Sequence, residues 1–200
     1  LYRMQRFPRW GSRPCWEEFL LDNLDARRAL GAFEQMFWLW DQHRPNHFCI
    51  VAEVEGATTQ DQWQRAMKAL ERRHPLLTAR IVEQADGELW FEPDPDGSIP
   101  IRAVPLASTT WEAEVRFELQ QRFDAYRPPR CRLTLIEGEG VTFALFTAHH
   151  ALLDGRRVSG LLSELLQMMG GASLPLPSPS VPPEVVMAEA RRLVPLPVLP

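Results

Sequence analysis

Two adjacent histidines, His149 and His150, close an apolar run and are followed by Asp154 and Gly155. A neutral imidazole titrates near neutrality, so it can take a proton from a hydroxyl, amine or thiol attacking an acyl group. Residues 141–148 ahead of the pair are apolar on both alternating faces, which predicts a strand buried on both sides. Side chains alternate along a strand, so if it continues the two rings point in opposite directions. At most one of them serves a given cavity as a base, and the other is a packed or hydrogen-bonded partner. Asp154 stands where an N-cap belongs, ahead of a helix with Val158, Leu161, Leu162, Leu165, Leu166 and Met169 on one face. A carboxylate there satisfies free backbone N–H groups and the helix dipole, a structural task rather than proton transfer. Gly155 lets the backbone turn tightly between strand and helix.

The elements that must position these residues follow from periodicity. Leu30, Phe33, Phe37 and Trp40 keep helical spacing and predict a helix over 30–42 whose aromatic stripe belongs to the core. His43 and His47 flank Pro45 in a loop, without a third partner at a spacing that would hold zinc. Residues 48–55 read as a strand, and Thr58 or Thr59 caps a helix carrying Trp63, Ala66, Met67 and Leu70. Pro75 stops that helix, and His74 just before it has the structural role common at a helix end. Residues 76–83 and 88–92 make a hairpin around Ala85-Asp86-Gly87, 93–100 a turn-rich loop and 101–104 a short strand. Trp111, Val115, Leu119 and Phe123 repeat every four residues on a further helix. Residues 132–137 and 141–148 form a second hairpin turning at Gly138-Glu139-Gly140. This irregular alternation predicts an α+β or mixed α/β fold, with helices covering a largely antiparallel or mixed sheet.

Composition narrows the function classes. A chain of 200 residues, 45% hydrophobic, can bury one sizeable core, and its net charge of -4 gives no global attraction to nucleic acid or anionic membrane. Cys15, Cys49 and Cys131 are scattered and odd in number, which points to a reducing compartment and to no metal site. No apolar run reaches membrane-spanning length and no secretory signal opens the chain, so the expected location is cytoplasmic. There is no P-loop and no dinucleotide fingerprint. Residues 1–26, rich in arginine with Trp10 and Trp16, form an N-terminal extension whose tryptophans are expected to pack on the domain. One unit spans 27–171, and the prolines beyond Gly171 predict a linker over 172–200 with a short helix near 184–193.

Three stretches together resemble a known family. The run His149-His150-Ala151-Leu152-Leu153-Asp154-Gly155 reproduces the HHxxxDG signature of the condensation-domain and chloramphenicol-acetyltransferase-like acyltransferases. Arg28-Ala29-Leu30-Gly31-Ala32-Phe33-Glu34 resembles the opening RxLGxxE of the wax-ester-synthase and polyketide-associated branch. Residues 71–80 are similar to the RHPxLRxR element, with Thr78 in place of the usual arginine. The resemblance covers roughly residues 27–170 and implies the N-terminal lobe of a two-lobed enzyme.

It implies that His150 is the general base and His149 a supporting residue, that Asp154 holds the loop by an ion pair, and that Gly155 keeps the passage beside the histidine open. Arg156 and Arg157 depart from the peptide-forming members, which carry a small residue there, and they are candidate contacts for a phosphopantetheine or coenzyme A phosphate. The implied reaction moves an acyl group from a coenzyme A or carrier-protein thioester to a hydroxyl or amine, with no metal or permanently bound cofactor. The implied partners are an acyl carrier protein and a second lobe or second copy that completes the tunnel. A lobe alone is then expected to be feeble or inactive, since orientation and water exclusion carry much of such a rate. The alternative is a catalytically silent module that docks a carrier protein or partner lobe.

Overall fold

The computed structural model describes residues 27–92, 94, 96–124 and 127–175. The expected N-terminal packing of Trp10 and Trp16 and the helix near 184–193 lie outside them. Eleven elements follow in order: β1 Arg28–Ala29, α1 Ala32–Asp41, β2 His47–Glu55, α2 Gln60–Arg73, β3 Arg80–Glu83, β4 Leu89–Glu92, β5 Ile101–Pro105, α3 Trp111–Gln120, β6 Cys131–Gly138, β7 Val141–His149 and α4 Gly155–Met169.

The histidine-bearing strand β7 lies inside a four-stranded sheet of order β2-β7-β6-β5. Its pairings with β2 and β6 are antiparallel, whereas β5 joins β6 in parallel. Apolar residues at both parities of β7 are what a central strand requires, and Ala144, Leu145, Phe146 and Ala148 are all fully buried. Ala144, Phe146 and Ala148 share the main core with Leu133 and Leu135 of β6 and with the buried faces of α2 and α4. The helix faces are those the periodicity predicts: Trp63, Ala66, Met67 and Leu70 on α2, and Val158, Leu161, Leu162 and Leu165 on α4. Fully burying each valine, leucine or methionine among them is worth about 1.5–3 kcal/mol. Thr59 caps α2, accepting from the Gln62 N–H at 3.2 Å. At its other end the Arg73 Nε and His74 Nε2 both reach Glu164 Oε2 of α4, at 2.6 and 2.9 Å. His74 is thus a helix-to-helix tie, as its sequence position suggests.

The opposite face of the sheet is covered by α3, and there the periodicity misleads. Of the expected stripe, Trp111 and Leu119 are exposed, and the helix ends before Phe123. The one residue of α3 that is fully buried is Glu118, because the sheet beneath it is polar. Its carboxylate accepts from Thr134 Oγ1 at 2.7 Å, from Arg102 at 2.9 Å and from Arg132 Nε. Burial alone would raise the Glu118 carboxyl, but those three donors hold it below its usual range.

Helix α1 departs in the same way. The stripe that faces inward is Glu34, Trp38 and Asp41, whereas Phe33, Met36, Leu39 and Trp40 are exposed. Polar partners decide it: Glu34 is held by Arg28, and Asp41 by the Asn46 N–H. The small sheet β1-β4-β3 anchors the entrance to α1, with β1 antiparallel to β4. Two smaller corrections concern boundaries. His47 is the first residue of β2 rather than part of a loop, and Pro75–Thr78 is a 3-10 turn, so β3 starts only at Arg80.

Candidate active site

The two histidines end up in different surroundings. Strand β7 stops at His149, and His150 opens the turn that leads into α4. The His149 backbone N–H donates to the Arg130 carbonyl at 2.9 Å, and that of His150 to the Asn46 carbonyl at 3.0 Å. These two bonds fix the chain on either side of the strand's end.

His149 is sealed, with 1% of its surface exposed. Its Nδ1 accepts from the Ala151 N–H at 2.9 Å, so the neutral ring carries its proton on Nε2. Nε2 lies 3.4 Å from Asp41 Oδ1 and makes no well-aligned hydrogen bond. Burial is the main cause that lowers the imidazole to about 4, against a partial opposing pull from Asp41. This ring is neutral at physiological pH and has no route to a substrate.

His150 is half-buried, gripped by two aromatic rings. Phe37 of α1 stacks on it with centroids 5.3 Å apart, and Phe48 of β2 tilts against it at 4.4 Å. Neither ring nitrogen has a hydrogen-bond partner among the described residues. Partial burial lowers its pKa from the ordinary value, with Asp154 opposing and His47 adding to the shift. The result is an unprotonated, unengaged imidazole held at a fixed angle, which is what a general base needs.

The residues after the pair are simpler than expected. Asp154 is the N-cap of α4, and its Oδ1 accepts from the Arg157 N–H at 2.7 Å. No ion pair to Asp154 forms among the described residues, where the cap is its contact. The chain carries Thr78, buried, where the related element has an arginine, which removes one possible cation. Gly155 is already helical and has no left-handed backbone, so the tight-turn role assigned from sequence is not needed. A Cβ there would meet only Ile50 Cδ1, at 3.9 Å, which leaves the space beside the helix start open. Arg156 and Arg157 sit exposed in the first turn of α4. Among the described residues no group of three or more His, Cys, Asp and Glu is placed to hold a metal ion. No helix there is long and apolar enough to cross a membrane.

Sequence reasoning missed Phe37, Phe48, Asp41 and Asn46. The first two look like ordinary apolar residues of a helix and a strand, and only the fold brings them to His150. A usable signal existed for Asp41, which continues the i, i+4, i+7 row begun by Glu34 and Trp38.

Two measurements check this description. Replacing Asp154 by Ala is expected to cost about 1 kcal/mol through loss of the cap, and by Asn much less, because Asn also caps. Urea midpoints of the two variants compare them; equal losses would contradict the cap. The second concerns pH. The folded pKa of His149, about 4, lies below its unfolded value near 6.5. Its contribution is therefore fully present above about pH 6.5 and is lost as pH falls towards about 4, as the unfolded chain binds the proton first. The stability gap between wild type and His149→Gln should shrink by about 3 kcal/mol over that range. A gap that stays flat across the same pH series would mean that His149 is not buried neutral.

No family model matches the chain. Among curated proteins it is 23% identical over 165 residues to nonribosomal peptide synthetase 8 of Aspergillus fumigatus, covering 80% of this chain and 2% of that protein. It is 25% identical over 150 residues to nonribosomal peptide synthetase 5 of Gibberella zeae, covering 72% of this chain and 1% of that one. Among solved structures, the first condensation domain of the calcium-dependent antibiotic synthetase superposes with a TM-score of 0.66 at 17% identity, over 84% of this chain and 44% of that chain. The condensation domain of the monacolin K polyketide synthase MokA gives 0.67 at 16% identity, over 84% and 39%. Polyketide synthase associated protein 5 from Mycobacterium tuberculosis gives 0.57 at 23% identity, over 81% and 39%. The chain thus has the mixed α/β fold of a condensation-domain lobe and spans less than half of these solved chains and a small fraction of the synthetases.

Proposed function

We propose that this chain is the base-bearing lobe of an acyltransferase, with His150 as the general base. The observation that carries the reading is the state of that ring: neutral, half-exposed, and with both nitrogens unengaged among the described residues. An attacking hydroxyl or amine gives its proton to His150 as the new C–O or C–N bond forms at a thioester carbonyl. Collapse of the tetrahedral intermediate breaks the C–S bond, and the departing thiolate takes the proton back from the imidazolium. The donor is an acyl thioester of coenzyme A or of a carrier protein, whose phosphopantetheine phosphate Arg156 and Arg157 would meet at the start of α4. Gly155 leaves that approach open. No metal is needed for these steps.

One half of the cavity must come from elsewhere. His150 is only half-covered, and on α1, whose Phe37 stacks on it, Phe33, Met36, Leu39 and Trp40 are exposed. A second lobe, or a second copy of this one, supplies the missing wall in this reading. The same exposed residues support a second reading, a silent module that docks a carrier protein or partner lobe. Mixing the chain with an acyl-coenzyme A and an alcohol, while measuring its mass in solution, separates them. The first reading expects turnover only when a second lobe or an oligomer is present. Turnover by a monomer contradicts the need for a second wall; no turnover in any completed assembly leaves only the silent module.

A further inference from the structure

A buried carboxylate lies beneath the two histidines and takes no part in the proton transfer proposed above. Asp41, the last residue of α1, is only 5% exposed. Its Oδ1 accepts from the Asn46 N–H at 2.6 Å and stands 3.4 Å from His149 Nε2. The Asn46 carbonyl in turn accepts from the His150 N–H at 3.0 Å. The Asn46 side chain reaches the carbonyl of Phe37 at 3.5 Å, and Phe37 is the ring stacked on His150. Asp41 thus approaches one histidine directly and reaches the other through a single residue, Asn46.

Desolvating a carboxylate is costly, so an acidic residue at a core-facing helix end calls for a reason beyond packing. Cationic groups offset part of that cost. Arg122 approaches Oδ2 at 3.8 Å and donates to the Asp41 carbonyl, while the buried Arg130 donates to the Asp124 carbonyl at 3.0 Å. His47 faces His149 across the β2–β7 pairing, with its Nε2 on the Leu119 carbonyl at 3.1 Å. Meanwhile the Ala151 N–H occupies Nδ1 of His149 from the other side, which puts the ring's proton on Nε2, 3.4 Å from Asp41 Oδ1 but not well aligned with it.

We propose that Asp41 is a positioning residue for the base: through Asn46 it fixes the backbone from which His150 projects, and its charge lies beside the Nε2–H of a His149 tautomer that the Ala151 N–H sets. This rests on the reading of His150 as the base. Misplacing a reacting group by about 1 Å can cost about 10²-fold in rate, so a device that sets the ring's origin acts on turnover rather than on binding.

The test reads nitrogen-15 imidazole spectra of the whole chain in the wild type, Asp41→Asn and Asp41→Ala, alongside acyl transfer with the second wall supplied. The wild type is expected to show one His149 tautomer, protonated at Nε2, from about pH 5 to pH 8. Asp41→Asn should keep that tautomer, since the Ala151 N–H still occupies Nδ1, but move the Nε2–H proton upfield as the charged oxygen 3.4 Å away becomes neutral. Asp41→Ala should keep the Nε2–H tautomer that the Ala151 N–H sets, shift the His149 and His150 ring signals and lower kcat about 10²-fold with KM little changed. A folded Asp41→Ala chain with a lower melting point and unchanged imidazole signals would make the carboxylate purely structural and overturn the proposal. If that variant does not fold, Asp41→Asn decides: an unmoved Nε2–H signal overturns the proposal equally. The spectra need no substrate, so they stand or fall separately from the acyltransferase reading.

Discussion

His150→Ala is expected to lower acyl transfer about 10²–10⁴-fold in an assembly that supplies the opposite wall, the usual contribution of a positioned base. The loss belongs in kcat more than in KM, because the imidazole takes charge only as the proton moves. The fold should survive. The ring is half-exposed, and its loss removes contact with Phe37 and Phe48 but leaves no buried polar group unpaired. A fall of a few degrees in Tm with unchanged circular dichroism is therefore the companion result. His149→Gln provides the contrast, since that ring is sealed against Asp41 and Ala151 and should act on stability first. Turnover equal to wild type in His150→Ala would end the assignment of the base.

The largest effect on stability is expected at the start of α1, in the pair Arg28–Glu34. Both side chains are buried, and they meet in a two-pronged contact with each N–O distance at 2.7 Å. Glu34 Oε2 also accepts from the Gly31 N–H at 2.7 Å, which closes the start of α1. Arg28 lies over the Phe91 ring at 4.9 Å and gives a further hydrogen bond to its neighbour's carbonyl, at 3.0 Å. Glu34→Ala would strand that guanidinium in the core, and removing one partner of a buried pair costs about 3–5 kcal/mol. Domains of this size have about 5–15 kcal/mol in all, so the variant sits near the edge of folding. Replacing both residues, Arg28→Met with Glu34→Leu, should recover most of the loss, because no charge is then left uncompensated. Urea unfolding of the single and double variants measures the difference. A single substitution costing under about 1 kcal/mol would show that water reaches the pair.

These two sites mark how far the sequence could be read. The histidine turn, the caps at Thr59 and Asp154 and the buried faces of α2 and α4 are local features, set by spacing within one element, and they were legible. The RxLGxxE resemblance was visible as a pattern, but its physical content, a buried ion pair that pins α1 to β1, was not. Helices α1 and α3 show why. Each has an apolar row and a competing row that contains carboxylates, and apolar periodicity selects the first. The chain buries the second, because Arg28 meets Glu34, and Thr134, Arg102 and Arg132 meet Glu118, all brought by other strands. The two-residue β1 has no periodicity to read, so the small sheet was foreseen only as its β3–β4 hairpin. The Phe37–His150–Phe48 sandwich joins residues about a hundred positions apart, which only the β2–β7 register and the α1 approach bring together.

Titrating the five imidazoles by side-chain nitrogen-15 spectroscopy tests the central claim most directly, because it asks which histidine is available as a base. The expected result is that His150 titrates below its ordinary value and is neutral at pH 7, while His149 resists protonation down to about pH 4. A His150 still protonated above about pH 8, or a His149 that titrates freely near 6.5 like an exposed ring, would contradict it.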